Sequence, residues 1–149
     1  MSNLNQNITQ EIKQAMLAKD SVRLNTLRML KSAIGYAAIE AKKDELTDGE
    51  IIGVIQKEVK KRRDAHEQFT KGGREEQAAQ EQSEAEILET FLPTPLTDDE
   101  LAALVQESIT STGATSKKEM GQVIKAVQAA SAGRADGKRI SQAVGKALS

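Results

Sequence analysis

The residues best suited to bind an anion lie between positions 132 and 144, where the sequence reads AGRADGKRISQAV. Arg134, Lys138 and Arg139 stand at the predicted start of a helix, where free backbone amides and the helix dipole also favour anions. The stretch lacks both the G-x-x-x-x-G-K-[ST] and the G-x-G-x-x-G order of phosphate-binding loops. A plain turn is the alternative, with Gly133 ending one helix and Asp136 capping the next.

Basic residues continue through the last quarter of the chain. Residues 113 to 149 hold seven Lys or Arg and two acids, whereas the whole chain has a net charge of −1. Only Tyr36, Phe69 and Phe91 are aromatic, which argues against stacking on single-stranded bases and favours contact with the backbone of structured RNA. The candidate nucleic-acid-binding residues are Lys117, Lys118, Lys125, Arg134, Lys138 and Arg139.

Residues for other chemistry are sparse. His66 is the only histidine, and Arg62 and Phe69 at helical spacing from it are not metal ligands, so we expect a partly buried structural histidine. The acid pairs, such as Glu81 with Glu84, have no ligand-loop order. The chain has no cysteine, which excludes disulfides, thiolate metal sites and cysteine nucleophiles. Taken together, these observations lead us to expect no catalytic residues, no metal and no cofactor.

The third predicted helix carries one charge on its apolar stripe. Ile52, Ile55, Val59 and Arg62 share one side of this helix. Arg62 is therefore expected either to extend its guanidinium to solvent or to pair with an acid from another helix. The other cations of the run KEVKKRRD are expected to form a salt-bridged surface.

Apolar residues recur every three or four positions throughout, which predicts an all-α fold. Capping boxes at Thr47/Glu50, Thr97/Glu100 and Ser116/Glu119 predict three helix starts, and Gly121 is expected to let another helix approach closely. Pro93 and Pro95 break the pattern. We predict an N-terminal domain of about four helices over 1–92, a linker over 93–97, and a three-helix domain over 98–149.

No stretch approaches the roughly 18 apolar residues that span a bilayer. The amino-terminal sequence MSNLNQNITQEIKQAM has no cationic segment followed by an apolar run. The sequence therefore predicts a cytoplasmic protein with no membrane partner.

Several motifs together resemble one family. The segments EMGQVIKAV, GRADGKRISQAVGKAL, ETFLPTPLTDDEL and LRMLKSAI resemble the YqeY family, whose chain is similar to the carboxyl-terminal tail of GatB, a subunit of the tRNA-dependent amidotransferase. The resemblance implies two helical domains, the second corresponding to the tail that engages tRNA, with the chemistry of the amidotransferase located elsewhere. Gln122 departs from the Lys found in many members, which removes one phosphate contact.

Three functions follow as hypotheses. The favoured one is a noncatalytic adaptor that associates with tRNA or another structured RNA. The first alternative is a protein-interaction module that docks a protein partner through the fourth helix or the interdomain groove. The second alternative is an amidotransferase-like carbon–nitrogen ligase with glutamine as amido donor, for which the sequence offers no catalytic residues.

Overall fold

The computed structural model describes residues 3–148, and this part of the chain is all α-helical with no strand. The predicted fold class is therefore confirmed. The outer ends of the predicted domains, residues 1 and 149, lie outside the described residues. The seven helices are α1 (Asn3–Leu17), α2 (Ser21–Glu40), α3 (Asp48–Lys71), α4 (Glu75–Glu89), α5 (Asp98–Thr112), α6 (Met120–Ser131) and α7 (Gly137–Ala147).

Contacts divide the chain into two compact units, Met1–Leu92 and Pro93–Ser149. In the first unit, α3 and α4 pack along one another, and α1 and α2 pack against this pair. Because the chain has few aromatic residues, the core is aliphatic. Its buried members are Ile8, Leu30, Ile34, Ala38, Leu46, Ile51, Ile55, Val59 and Leu88.

The second unit has a separate aliphatic core formed by α5, α6 and α7. Leu96 is buried in this core, and its amide donates a hydrogen bond to the carbonyl oxygen of Arg134 at 2.7 Å. The predicted linker over 93–97 therefore ends with residues that belong structurally to the second unit. The division into two domains joined by that linker stays a prediction.

Two of the three predicted capping boxes start helices as expected. The Thr47 side chain accepts from the Glu50 amide at the start of α3, and Thr97 does the same with Glu100 at the start of α5. The third prediction is wrong. Ser116 makes no side-chain cap, and a short 3-10 turn over Lys117–Glu119 precedes α6.

The expectation for Gly121 is also wrong. Gly121 is exposed, and a Cβ placed on it would have no atom within 4 Å. Gly121 faces open space, so no other helix packs closely against it and the residue has no packing role. Among the described helices, none is both long and apolar enough to cross a membrane.

Candidate nucleic-acid interface

Helices α6 and α7 form an antiparallel pair that carries all the candidate cations directly or on its flanks. A Cβ placed on Gly145, near the end of α7, would lie 3.5 Å from Met120 Cε at the start of α6. The intervening turn has two left-handed residues, Ala132 (φ 50°) and Gly133 (φ 82°). The Asp136 carboxylate then caps α7 by accepting from the Arg139 amide at 2.8 Å, which is the turn geometry predicted from the sequence.

The antiparallel arrangement separates the candidate cations into two groups. Lys117 and Lys118 precede α6, while Arg134, Lys138 and Arg139 lie at the opposite end of the pair, around the start of α7. Since α6 has 12 residues and a helix rises 1.5 Å per residue, these ends are about 18 Å apart. Lys125 lies between them on α6, so the structure does not bring the six cations to one point.

Four of the six candidates are exposed lysines. Lys117, Lys118, Lys125 and Lys138 all have exposed side chains. Within the described residues, none of the four ammonium groups makes a hydrogen bond or ion pair, so their charge is available to an external anion. Lys125 lies on the face of α6 turned away from the buried Val123 and Val127.

The two arginines, unlike the four lysines, form hydrogen bonds and ion pairs within the described part of the chain. Arg139 makes two such bonds from one nitrogen. Its Nη2 donates to the carbonyl oxygen of Leu96 at 2.9 Å and to Asp98 Oδ1 at 3.1 Å. The side chain retains 31 % of its exposure. Arg139 therefore joins the first turn of α7 to the segment that leads into α5.

Arg134 makes a second connection to the same segment. Its Nε donates to the carbonyl oxygen of Thr94 at 2.9 Å, and its Nη2 lies 3.7 Å from Glu100 Oε2. Hydrogen bonds from Thr97 lower the pKa of the Glu100 carboxyl, and the charge of Arg134 lowers it further. Both arginines thus have partners within the second unit, which the sequence alone did not indicate.

The charge of the second unit is nearly balanced once its first helix is included. Residues 93 to 149 hold seven Lys or Arg and six Asp or Glu. Three of those acids, Asp98, Asp99 and Glu100, occupy the first turn of α5. The positive charge predicted from the last quarter is therefore a property of α6, α7 and their flanks, and not of the whole unit.

His66 and Arg62 occupy structural positions in the first unit. His66 Nδ1 lies 2.7 Å from the carbonyl oxygen of Ala78, which orients the ring across the α3–α4 contact. Arg62 is buried and pairs with Glu58 of its own helix and Glu84 of α4. This is the second of the two arrangements predicted for Arg62. No group of three or more metal-ligating side chains occurs among residues 3–148.

Exposed apolar residues on α2 were missed by the sequence reasoning. Val22, Met29 and Tyr36 follow one another at intervals of seven residues, with Ile39 close to the same side, and each is about half exposed or more. In α4, by contrast, Ala78, Ala85 and Leu88 are buried and Ile87 is half-buried, so Ala79 is the only exposed apolar residue of this helix. The predicted docking through α4 has no exposed apolar face to support it.

Comparison with protein families gives a match over nearly the full length of the chain. The family model described as "Yqey-like protein" matches residues 5–148. The match includes all seven helices except the first two residues of α1.

Curated relatives share about a third of their aligned residues with this chain. "Altered inheritance of mitochondria protein 41, mitochondrial" of Vanderwaltozyma polyspora is 32% identical over 85 residues, covering 57% of this chain and 46% of the relative. The protein of that name in Lachancea thermotolerans is 34% identical over 86 residues, covering 58% and 46%. That of Kluyveromyces lactis is 33% identical over 102 residues, covering 66% and 55%.

The chain spans about half the length of these curated relatives. Their names describe them as mitochondrial, which contradicts the prediction of a cytoplasmic location. The prediction depended on two criteria, a long apolar stretch and a cationic segment followed by an apolar run. These criteria identify membrane-spanning segments and secretory signals, and neither distinguishes one aqueous compartment of the cell from another.

Proposed function

Because the chain belongs to the YqeY-like family, we propose that it is a noncatalytic protein that binds structured RNA, and tRNA in particular. The binding surface consists of Lys117, Lys118, Lys125 and Lys138. The observation that carries this proposal is that all four side chains are exposed and have no partner among the described residues. Side chains of this kind neutralise phosphates and release counterions, which is the main source of affinity for nucleic acids.

The spacing of these lysines favours a folded RNA over a flexible strand. Two groups separated by about 18 Å along a rigid helix pair match a partner whose phosphates are also held at fixed positions. The second unit contains no aromatic residue, so it offers no surface on which unpaired bases could stack. Contact with the sugar-phosphate backbone of a duplex region is the mode that these side chains support.

Arg134 and Arg139 have an indirect role in this proposal. Their bonds to Thr94, Leu96 and Asp98 hold the α6–α7 turn against the segment before α5. The two arginines therefore position Lys138, and in this proposal they contribute less to phosphate contact than Lys138 does. The resemblance to the GatB tail supports tRNA as the RNA to test first.

The test is a titration of fluorescently labelled tRNA with the full chain at several salt concentrations. If four lysines each neutralise one phosphate of a duplex region, a plot of log K against log salt has a slope of about −3.6. A flat salt response, or no binding at low salt, would contradict the proposal. An unrelated duplex RNA of the same length measures how far binding depends on the fold of tRNA.

A second candidate is a protein-interaction module, which the exposed apolar residues of α2 favour. Tyr36 and Ile39 are 74% and 75% exposed, and large apolar side chains grouped on a surface are typical of docking sites. Affinity capture with and without nuclease separates the candidates. Partners retained after nuclease treatment support direct protein docking, whereas their loss supports an RNA-mediated association.

A further inference from the structure

The buried guanidinium of Arg62 has an uneven set of acceptors. Arg62 is 6% exposed. Its Nη1 donates to Glu58 Oε2 at 3.0 Å, a normal charge-assisted hydrogen bond. Its Nε lies 3.6 Å from Glu84 Oε2 and has no hydrogen-bond partner. The third nitrogen, Nη2, reaches across to α2 and contacts Met29 Sδ at 3.8 Å.

A thioether is a poor partner for a buried charge. Sulfur accepts hydrogen bonds weakly, and a buried cation that lacks strong acceptors destabilises the fold. Met29 is also 53% exposed, so reagents in solvent have access to its side chain. The contact therefore joins an oxidisable side chain at the surface to an under-satisfied donor in the interior.

We propose that peroxides oxidise Met29 to methionine sulfoxide, and that Arg62 binds the sulfoxide oxygen. In this step a lone pair of Sδ attacks one peroxide oxygen, so that the S–O bond forms as the O–O bond breaks. The departing oxygen takes the proton that the transferred oxygen loses, and it leaves as water or an alcohol. The sulfur loses two electrons and the peroxide gains them, which gives methionine sulfoxide.

Oxidation replaces the thioether sulfur, a weak hydrogen-bond acceptor, with a sulfoxide oxygen, a strong one. The change takes place at the atom that Arg62 Nη2 already contacts. The sulfoxide oxygen accepts from Nη2 and strengthens the link between α2 and α3. Oxidation of methionine normally disrupts apolar packing, but Met29 is half exposed and has little packing to lose. The modified protein is therefore more stable than the unmodified one.

Met16 provides a matched control within the same unit. It is 50% exposed, it lies on the neighbouring helix α1, and its sulfur makes no hydrogen bond among the described residues. Cleavage after Glu11 and Glu40 releases one peptide, 12–40, that contains both methionines. Fragment masses of this peptide after a limited dose of hydrogen peroxide report the extent of oxidation at each position.

The experiment compares the variants Met16→Leu and Met29→Leu before and after peroxide treatment, by calorimetry of the full chain. In Met16→Leu, where Met29 is oxidised, we expect the thermal midpoint of the first unit to rise by about 2–4 °C. In Met29→Leu, where Met16 is oxidised, the midpoint stays the same or falls. An equal fall in both variants, or no oxidation of Met29 at a dose that converts Met16, would overturn the proposal.

A second comparison requires no oxidation. Gln at position 29 places an amide oxygen near the position of the sulfoxide oxygen, whereas Leu preserves the apolar volume only. We expect the thermal midpoint of Met29→Gln to be higher than that of Met29→Leu. At position 16 we expect the midpoint of the Gln variant to be equal to, or lower than, that of the Leu variant. A lower midpoint for Met29→Gln than for Met29→Leu would contradict the role of Arg62.

Discussion

The guanidinium of Arg139 donates a hydrogen bond to the carbonyl oxygen of Leu96 at 2.9 Å, across 43 positions of the sequence. A second bond from the same nitrogen reaches Asp98. Leu96 is itself buried in the core of the second unit. Arg139, one of the six candidate phosphate ligands of the sequence analysis, is therefore also a structural connection between α7 and the segment before α5.

Replacing Arg139 with Ala should destabilise the second unit by about 1–2 kcal/mol, because the carbonyl of Leu96 loses its side-chain donor. Urea denaturation of the full chain measures this change. Lys138→Ala is the matched control, since Lys138 is adjacent, exposed and unpaired, and its change should stay within about 0.5 kcal/mol. Equal effects of the two substitutions would contradict the structural role of Arg139.

Replacing Arg62 with Ala should destabilise the first unit by about 3–5 kcal/mol, because Glu58 and Glu84 would be left close together without a compensating charge. Arg63→Ala serves as the comparison. Arg63 pairs with Glu89 but is 46% exposed, so its loss should cost below about 1 kcal/mol. Thermal or urea unfolding distinguishes the two variants, and a loss at Arg62 no larger than that at Arg63 would be inconsistent with a buried charge cluster.

Glu50 should stabilise the fold only above acidic pH. The hydrogen bond from Lys43, followed by that from the Thr47 backbone, lowers the pKa of Glu50 from 4.5 to about 2. Because the folded-state pKa lies below the unfolded value, the contribution is complete above pH 4.5 and is lost as the pH falls toward 2. Glu50→Gln keeps a capping side chain but removes the charge, so its midpoint should be lower than that of the native chain at pH 7.

The difference in thermal midpoint between the native chain and Glu50→Gln should narrow as the pH is lowered from 4.5 toward 2. Glu40→Gln is a suitable control, because Glu40 is exposed and makes no side-chain bond within residues 3–148. A deficit for Glu50→Gln that is constant across the pH range would indicate lost capping geometry and not lost charge.

The contribution of Glu81 to stability should depend on pH in the opposite direction from that of Glu50. Burial raises the pKa of this carboxyl, and the nearby charge of Glu84 raises it further, while Arg62 opposes the shift. Since the folded-state pKa lies above the unfolded value, stability is highest below pH 4.5 and decreases as the pH rises through the raised pKa. Glu81→Gln should therefore raise the thermal midpoint at pH 7, with a gain that shrinks at pH 4; a gain of equal size at both pH values would exclude the electrostatic cause.

Local signals in the sequence predicted much of the fold. Thr47 and Thr97 each precede a glutamate by three residues, and both pairs form complete capping boxes. Ser116 has the same spacing to Glu119, yet Glu119 accepts from the Thr115 amide and hydroxyl instead. The spacing identifies groups that are able to cap a helix, but competition from a neighbouring side chain decides whether they do.

The candidate interface was less predictable, because charge in a sequence does not show which partners it meets in the fold. Arg139 and Asp98 are 41 positions apart, and only the packing of α7 beside the start of α5 brings them together. The exposed lysines, such as Lys125, needed no such information, since their place on a polar helix face follows from periodicity. Side chains with long-range partners are thus the ones whose contacts the sequence did not indicate.

The most direct test of the account compares tRNA affinity between two fourfold charge reversals. One variant changes Lys117, Lys118, Lys125 and Lys138 to Glu. The other makes the same change at four exposed cations of the first unit, Lys13, Arg28, Lys57 and Lys60, so that both have the same net charge. We expect the first variant to lose about 100-fold or more in affinity, together with most of the salt dependence, while the second retains most of both. Equal losses in the two variants, or no loss in the first, would contradict a specific RNA-binding surface on α6 and α7.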